Sequence, residues 1–317
     1  MFNANMPYRN LGKNGIKVSQ FSLGGWTTFG GTVKDATTIH SILHLAYESG
    51  INFFDIADVY AKGESELMMG AVLREFPRHE LVISSKVFWP MSDDINDKGL
   101  SRKHIHESIH KSLKRIGTDY LDIYYCHRYD TETPVEETVR IMDDLIHQGK
   151  ILYWGTSEWT GQQIQEAIDI CEKGGYYKPA VEQPQYNLLV REKMETDVIA
   201  KAVQHGMGLT TWSPLASGLL SGKYDDGIKE GRLSKIEWLK DTLYTEDNVR
   251  KVKAMKKIAD EMECSRSQLA LAWIAAQKGI SSVILGATRI EQLQENLGAL
   301  KVNITPEVDR ELKQLFK

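Results

Sequence analysis

Cysteine is scarce in this chain, and what there is cannot staple a fold. Cys126, Cys171 and Cys264 are odd in number, far apart, and form no C-x-x-C pair. That usage fits a reducing compartment and excludes a disulfide framework. Long apolar runs are missing too: no stretch approaches the roughly 18 apolar residues of a membrane span. The N-terminal MFNANMPYRN lacks the apolar centre of a secretory leader. Charge of one sign is not in excess, since 39 Lys and Arg against 43 Asp and Glu leave a formal charge of −4 and a pI near 6.2. Nothing global therefore favours nucleic acid or a membrane surface, although a local basic pocket for a phosphate stays open. The expectation is a cytoplasmic protein without a nucleic-acid partner or membrane insertion.

What is present is ordinary globular composition, 42% hydrophobic and 26% charged, in 317 residues that can bury a sizeable core. Short apolar runs at residues 21–24, 51–54, 81–85, 121–125, 152–156, 180–183, 209–212 and 282–285 alternate with helical patterns. Near-continuous apolar runs suit parallel strands buried on both faces. Asp35 caps a helix whose Ile39, Ile42, Leu43 and Ala46 form one face, with Gly50 past its end. Thr133-Pro134-Val135-Glu136 reads as a capping box with Pro at the first helical position, and Gly149 stops that helix. Ser265-Arg266-Ser267-Gln268 opens another in the same manner.

Eight such alternations predict an α/β fold, a (β/α)8 TIM barrel. A doubly wound open sheet is the rival, but no G-x-G-x-x-G follows the first strands. Residues 8–11 and 17–19 flank Gly12–Gly15 as a small hairpin that could plug the barrel's bottom. No linker or charge shift divides the chain, so residues 1–317 are expected to form a single domain. About 70 residues separate the last two strands, more than one helix needs. The first part, polar and glycine-rich from Gly222 to Arg232, reads as a flap on the barrel's top face.

Asp55, Tyr60, Lys86 and His127 sit just past three of these runs. In a barrel, strand C-termini converge on one mouth, where reactive groups belong. A phenol with a pKa near 10 is a poor proton shuttle at pH 7. An adjacent ammonium stabilises phenolate and lowers that pKa, and a carboxylate can fix the ammonium. Tyr60 as acid, Lys86 as tuner, Asp55 as the lysine's partner and His127 as a donor to a carbonyl oxygen fit proton delivery to a carbonyl. Lys86 alone would also suit a Schiff base of the class I aldolase kind.

Phe54-Asp55-Ile56-Ala57-Asp58-Val59-Tyr60, Ser84-Ser85-Lys86 and Tyr125-Cys126-His127-Arg128 resemble the catalytic tetrad blocks of the aldo-keto reductases. The likeness spans nearly the whole chain. Lys86-Val87-Phe88-Trp89, Tyr153-Trp154-Gly155-Thr156-Ser157 and Thr211-Trp212-Ser213-Pro214-Leu215-Ala216 resemble the branch that contains voltage-gated potassium channel β subunits and their bacterial relatives. The resemblance implies NADP(H) lying extended across a barrel mouth, with a small carbonyl compound, chiefly an aldehyde, as substrate. It places Trp26, Asp55, Ser157, Glu158 and Gln183 near the nicotinamide and its ribose, and Trp212 against the nicotinamide ring. Ser213, Pro214, Leu215, Ala216, Ser217 and Gly218, with Lys223 and Arg232, would cover the pyrophosphate. Gly286, Thr288 and Arg289, leading into a helix with Gln292, Glu295 and Asn296, would take the 2′-phosphate. A hydroxyl and a guanidinium at a helix N-terminus suit a phosphate dianion. Trp26, Phe29, Tyr60, Trp89, His127, Tyr129 and Trp159 are the candidate substrate pocket. Channel subunits of this branch generally carry Asn where His127 stands, so His127 follows the enzymatic pattern. The branch includes tetramers, which makes a homo-oligomer an expectation.

Two motifs compete. His106-Glu107-Ser108-Ile109-His110 matches the zincin H-E-x-x-H, but its helix buries Ile105, Ile109, Leu113 and Ile116 and leaves the histidines on the flank. No metal site is expected. Gly218-Leu219-Leu220-Ser221-Gly222-Lys223 resembles a Walker loop, one residue short and with Tyr224 in place of Ser or Thr.

Overall fold

The structure, a computed structural model, describes residues 6–317. The N-terminal stretch read for a leader therefore lies partly outside the described residues. A two-stranded antiparallel hairpin, β1 (Tyr8–Asn10) and β2 (Lys17–Ser19), precedes eight parallel strands that close into a barrel. These are β3 (Phe21–Gly24), β4 (Phe53–Asp55), β5 (Val82–Val87), β6 (Leu121–Cys126), β7 (Ile151–Ser157), β8 (Val181–Gln183), β9 (Gly208–Thr211) and β10 (Ile280–Leu285), with β10 paired to β3. The expected runs lie in these strands with ends moved by a residue or two, and closure excludes the open-sheet rival. Helices α1 (Ala36–Glu48), α2 (Glu64–Leu73), α3 (Arg102–Ile116), α4 (Val135–His147), α5 (Gly161–Gly174) and α6 (Ile199–His205) connect the earlier strands. After β9 come α7 (Glu237–Leu243), α8 (Glu246–Glu261) and α9 (Arg266–Ala276); α10 (Ile290–Leu297) and α11 (Pro306–Leu315) follow β10. The long connection is thus mostly helical, with its irregular part confined to the turns between β9 and α7.

Helix ends follow local chemistry. The Asp35 carboxylate accepts from Thr38 N at 2.7 Å, and Ser265 with Gln268 forms a reciprocal capping box. The Thr133 expectation fails: its hydroxyl donates to Asp130 Oδ2 at 2.8 Å, and Pro134 itself occupies the cap without a side-chain bond. The helix starts one residue later than expected, at Val135, so the Thr133 hydroxyl stands outside the cap position. Among the described residues no helix is long and apolar enough to cross a membrane.

Register decides what lines the interior. Asp55 lies beside Ser84, Lys86 beside Tyr125, Tyr125 beside Gly155, and Ser157 beside Gln183. Side chains alternate along a strand, so these residues share the inner face. A Cβ on Gly155 would sit 2.5 Å from Val181 Cγ1, 2.6 Å from Val181 O and 3.0 Å from Tyr125 Cδ1, so glycine is what lets β7 pack between these two neighbours. Below, Phe53, Val82, Ile123, Tyr125 and Val181 form an apolar layer against Leu11 and Val18 of the hairpin region. The hairpin is the expected plug. Its Lys13 N donates to Gly206 O at 2.8 Å, and Arg9 Nη1 donates to the carbonyls of Ala275 (2.7 Å) and Ile280 (2.9 Å).

The plug seats through one glycine. Gly12 has φ +60°, and a Cβ there would lie 2.2 Å from Gly206 O and 2.4 Å from the Met207 carbonyl carbon. Gly12→Ala is expected to lower unfolding stability by about 3 kcal/mol, from left-handed strain plus overpacking against backbone. Urea denaturation followed by tryptophan fluorescence checks this; a loss within about 0.5 kcal/mol, the scale of a neutral surface change, would remove the plug's claimed tightness.

Candidate active site

At the strand C-termini the chain opens into a cavity of about 610 Å³. Lys86 lies inside β5 rather than past it, because β5 runs on to Val87, and its side chain is fully buried. Its Nζ donates to Asp55 Oδ2 at 2.6 Å, to Ile56 O at 2.8 Å and to Tyr60 Oη at 3.0 Å. All three ammonium protons therefore have an acceptor. Asp55 Oδ1 accepts in turn from Ser84 Oγ (2.8 Å) and Gln183 Nε2 (2.9 Å). Tyr60 and His127 face each other edge-on with ring centres 5.8 Å apart.

Tyr60 is held by a loop bent against ordinary preferences. Ala61 and Lys62 adopt φ of 49° and 54°, and Gly63 at 93° opens α2. Each non-glycine residue in that region costs roughly 1 kcal/mol. Asp58 anchors the loop from below: its carboxylate accepts from Ser108 Oγ (2.9 Å) on α3 and from Val59 N (2.6 Å).

Electrostatics correct the sequence expectation for Tyr60. Burial and the Asp55 carboxylate hold its pKa well above the ordinary value, outweighing the lowering by the Arg128 guanidinium. The phenol therefore stays protonated at neutral pH and is a donor in the resting site. Burial also lowers the Lys86 pKa, opposed by Asp55. Burial, Lys86 and Arg128 together hold His127 well below 6.5, so its ring is neutral, and its Nδ1 has no partner.

Of the other candidates, Trp26, Trp89, Ser157, Gln183, Trp212, Ser213, Pro214, Arg232 and Gly286 line the cavity. Trp26 meets Trp212 edge-on at 5.4 Å, and the Arg232 guanidinium lies 5.2 Å above the Trp26 ring. Glu158 sits behind Trp212, accepting from its Nε1 at 3.0 Å and pairing with Lys193 at 3.1 Å. Leu215, Ala216, Ser217, Gly218 and Lys223 form the adjoining turn rather than the wall. Ser213 and Ser217, both at positive φ, carry buried hydroxyls without partners. A Cβ on Gly218 would lie 2.7 Å from Lys223 Nζ, so the ammonium rests on the turn. Thr288 donates from N and Oγ1 to Gln292 Oε1 at 2.8 and 2.9 Å, and Arg289 stands exposed at the start of α10. Asn296 is buried and Glu295 exposed further along α10.

Phe29 and Trp159 are not brought to the cavity. Both are core residues about 1% exposed, and Tyr129 packs on Trp159 while donating to Glu166 at 3.2 Å. The wall instead includes Arg128 and Trp238, which sequence reasoning did not single out. Arg128 follows His127 directly, and that adjacency is the signal by which it could have been found; Trp238 reaches the cavity only through the fold of the long connection. The zincin-like His106 and His110 are exposed on outer helix α3. His40, His44 and Glu75, a three-donor group off the cavity wall, meet near the surface where both imidazoles share one carboxylate oxygen.

Comparison with known proteins agrees with this architecture. The model of the aldo/keto reductase family matches residues 20–317. A protein of Arabidopsis thaliana named probable voltage-gated potassium channel subunit beta is 48% identical over 320 residues, covering 98% of this chain and 97% of that one. One of the same name from Oryza sativa subsp. japonica is 47% identical over 311 residues, covering 96% and 94%.

One strand residue pointing away from the interior bears on stability. Glu182, fully buried beside Gln183, accepts from Thr156 Oγ1 and Trp159 N, and burial pushes its pKa up to about 8. Burial likewise pushes Asp58 up to about 7. A raised carboxyl pKa means the folded state holds a proton the unfolded chain has released. The associated stability is present in full below about pH 4.5, and for Glu182 is lost as pH rises towards 8, at roughly 1.4 kcal/mol for each pH unit. Glu182→Gln is expected to flatten the fall in Tm between about pH 5 and 8; unchanged steepness in a calorimetric pH series would contradict the assignment.

Proposed function

The chain belongs to the aldo/keto reductase family, and on that premise we propose that it reduces aldehydes, and some ketones, to alcohols with NADPH. The observation that carries this reading is the unbroken contact from Asp55 through Lys86 to Tyr60 at the floor of the cavity. Bound NADPH supplies the hydride. Tyr60 donates its proton to the carbonyl oxygen, and Lys86 donates to the phenol oxygen as negative charge develops there. Asp55 keeps the lysine charged and aimed, and neutral His127 offers a ring N–H that orients the carbonyl.

The residues suit the dinucleotide. Ser157, Gln183 and Trp212 would hold the nicotinamide beside Trp26. The partnerless hydroxyls of Ser213 and Ser217, the Lys223 ammonium and the Arg232 guanidinium suit a pyrophosphate. Exposed Arg289 beside Thr288 suits the 2′-phosphate, which distinguishes NADPH from NADH. Gln292 is already bonded to Thr288 and would position that hydroxyl.

The names of both relatives favour a second role, association with a potassium channel, which the same cavity would accommodate as a redox sensor with slow turnover. Tight NADPH binding with no reduction of any aldehyde would favour that role over the first.

Tyr60→Phe removes one proton and little volume. It is expected to cut turnover by about 10²- to 10⁴-fold while NADPH still binds, read as absorbance loss at 340 nm beside fluorescence titration of the cofactor. An unchanged rate would remove Tyr60 from the mechanism. Arg289→Leu is expected to reduce the NADPH-over-NADH ratio of kcat/KM by about 10-fold or more, the worth of a charge-assisted contact; an unchanged ratio would move the phosphate site elsewhere.

A further inference from the structure

The cavity wall carries two guanidinium groups, and the cofactor reading above uses only one of them. Arg232 covers Trp26, which packs on Trp212. Arg128 belongs to the other side. It follows His127, and its guanidinium carbon lies 5.6 Å above the ring of Trp89, which itself meets His127 with ring centres 6.4 Å apart. Arg128 therefore shares a wall with the groups that would handle the carbonyl oxygen.

Its own bonds leave it unsatisfied. Nη1 donates to the His127 carbonyl and, at 3.4 Å, to Ser157 Oγ. Among the described residues no carboxylate forms an ion pair with it. The acids that face it are engaged elsewhere: Glu158 with Lys193, Trp212 and Gln185, and Glu182 with Thr156 and Trp159. The other ionisable neighbours are neutral Tyr60, neutral His127 and the Lys86 ammonium, none of which supplies a counter-charge. A guanidinium cannot shed its proton under ordinary conditions, so a half-buried one without a counter-ion is costly unless a ligand brings the anion. Its fork of donors matches a carboxylate, and Trp89, Val59 and Trp238 supply apolar wall for a short spacer.

We propose that Arg128 anchors a carboxylate on the substrate, so that the site prefers oxo-carboxylates, carbonyl compounds with an acid at the other end, over neutral aldehydes. This rests on the reductase reading above and specifies its substrate class. The carbonyl oxygen goes to Tyr60 and His127 while the acid group forks onto Arg128. Arg128 acts on KM through this contact and leaves the proton to Tyr60.

The test compares 4-oxobutanoate with butanal, which share a four-carbon chain and differ in charge, at saturating NADPH. The expected result is a kcat/KM at least about 10-fold higher for 4-oxobutanoate, expressed in KM. Arg128→Gln should reduce the 4-oxobutanoate-to-butanal ratio by about 10- to 100-fold, and Arg128→Lys should restore part of it. A ratio unmoved by either variant overturns the proposal while the reductase function stands. So does equal loss for both substrates accompanied by weakened NADPH binding, which would assign Arg128 to the cofactor. If the wild type reduces neither aldehyde, the reductase reading fails, and the anion site is judged by binding alone. Succinate should then bind the NADP⁺ form by calorimetry and lose that binding in Arg128→Gln; succinate binding that survives, or none in the wild type, overturns the anchor.

Discussion

The fully buried ion pair between Lys86 and Asp55 is the interaction on which the rest of the site depends. Charges taken out of water are stabilised only when every donor and acceptor finds a partner. Here the ammonium has three acceptors, and the carboxylate has two further donors in Ser84 and Gln183. Those partners come from β4, β5, β8 and the loop after β4, so the pair is satisfied only in a correctly closed barrel. Removing the lysine alone would strand a buried carboxylate, at a cost of about 3–5 kcal/mol. The pair thus joins fold and chemistry: the geometry that keeps Lys86 charged is also what aims it at the Tyr60 oxygen.

Backbone strain gathers round the same mouth. Thr27, Ala61, Lys62, Glu158, Ser213, Ala216 and Ser217 all adopt positive φ in segments that follow barrel strands, whereas Glu263, at 51°, lies at the end of α8. Such conformations persist where surroundings over-determine them, and they concentrate at functional sites. The regular barrel below provides that rigidity, and the loops above use it to hold hydroxyls and amides at angles that unstrained turns would not give.

The barrel was legible because parallel strands buried on both faces read as short apolar runs, and because Asp35 and Ser265 cap helices through their own side chains. The quartet was legible as four reactive groups near the ends of three successive strands. Other features depend on three dimensions. The apolar run before Lys86 stops at a pair of serines, which hid that the strand continues. Thr133 lies one residue before the cap, because Pro134 takes that place and α4 starts at Val135. Phe29 and Trp159 could not be told from wall residues, since an aromatic in the core and one in a pocket look alike in sequence. Arg128 passed as an ordinary cation because the missing counter-ion is a property of its surroundings.

The hairpin under the barrel has a temporal side. Arg9 bonds to the carbonyls of Ala275 and Ile280, and β3 takes β10 as one of its two neighbours. A nascent chain leaving the ribosome at about 5–20 residues per second must therefore keep one edge of its first barrel strand unpaired until the last has emerged. Leu11 and Val18 wait with it, since the ring they cap does not yet exist. Closure is thus a long-range step that waits on β10, and until it occurs no pairing can cover both edges of the strands that will form the ring.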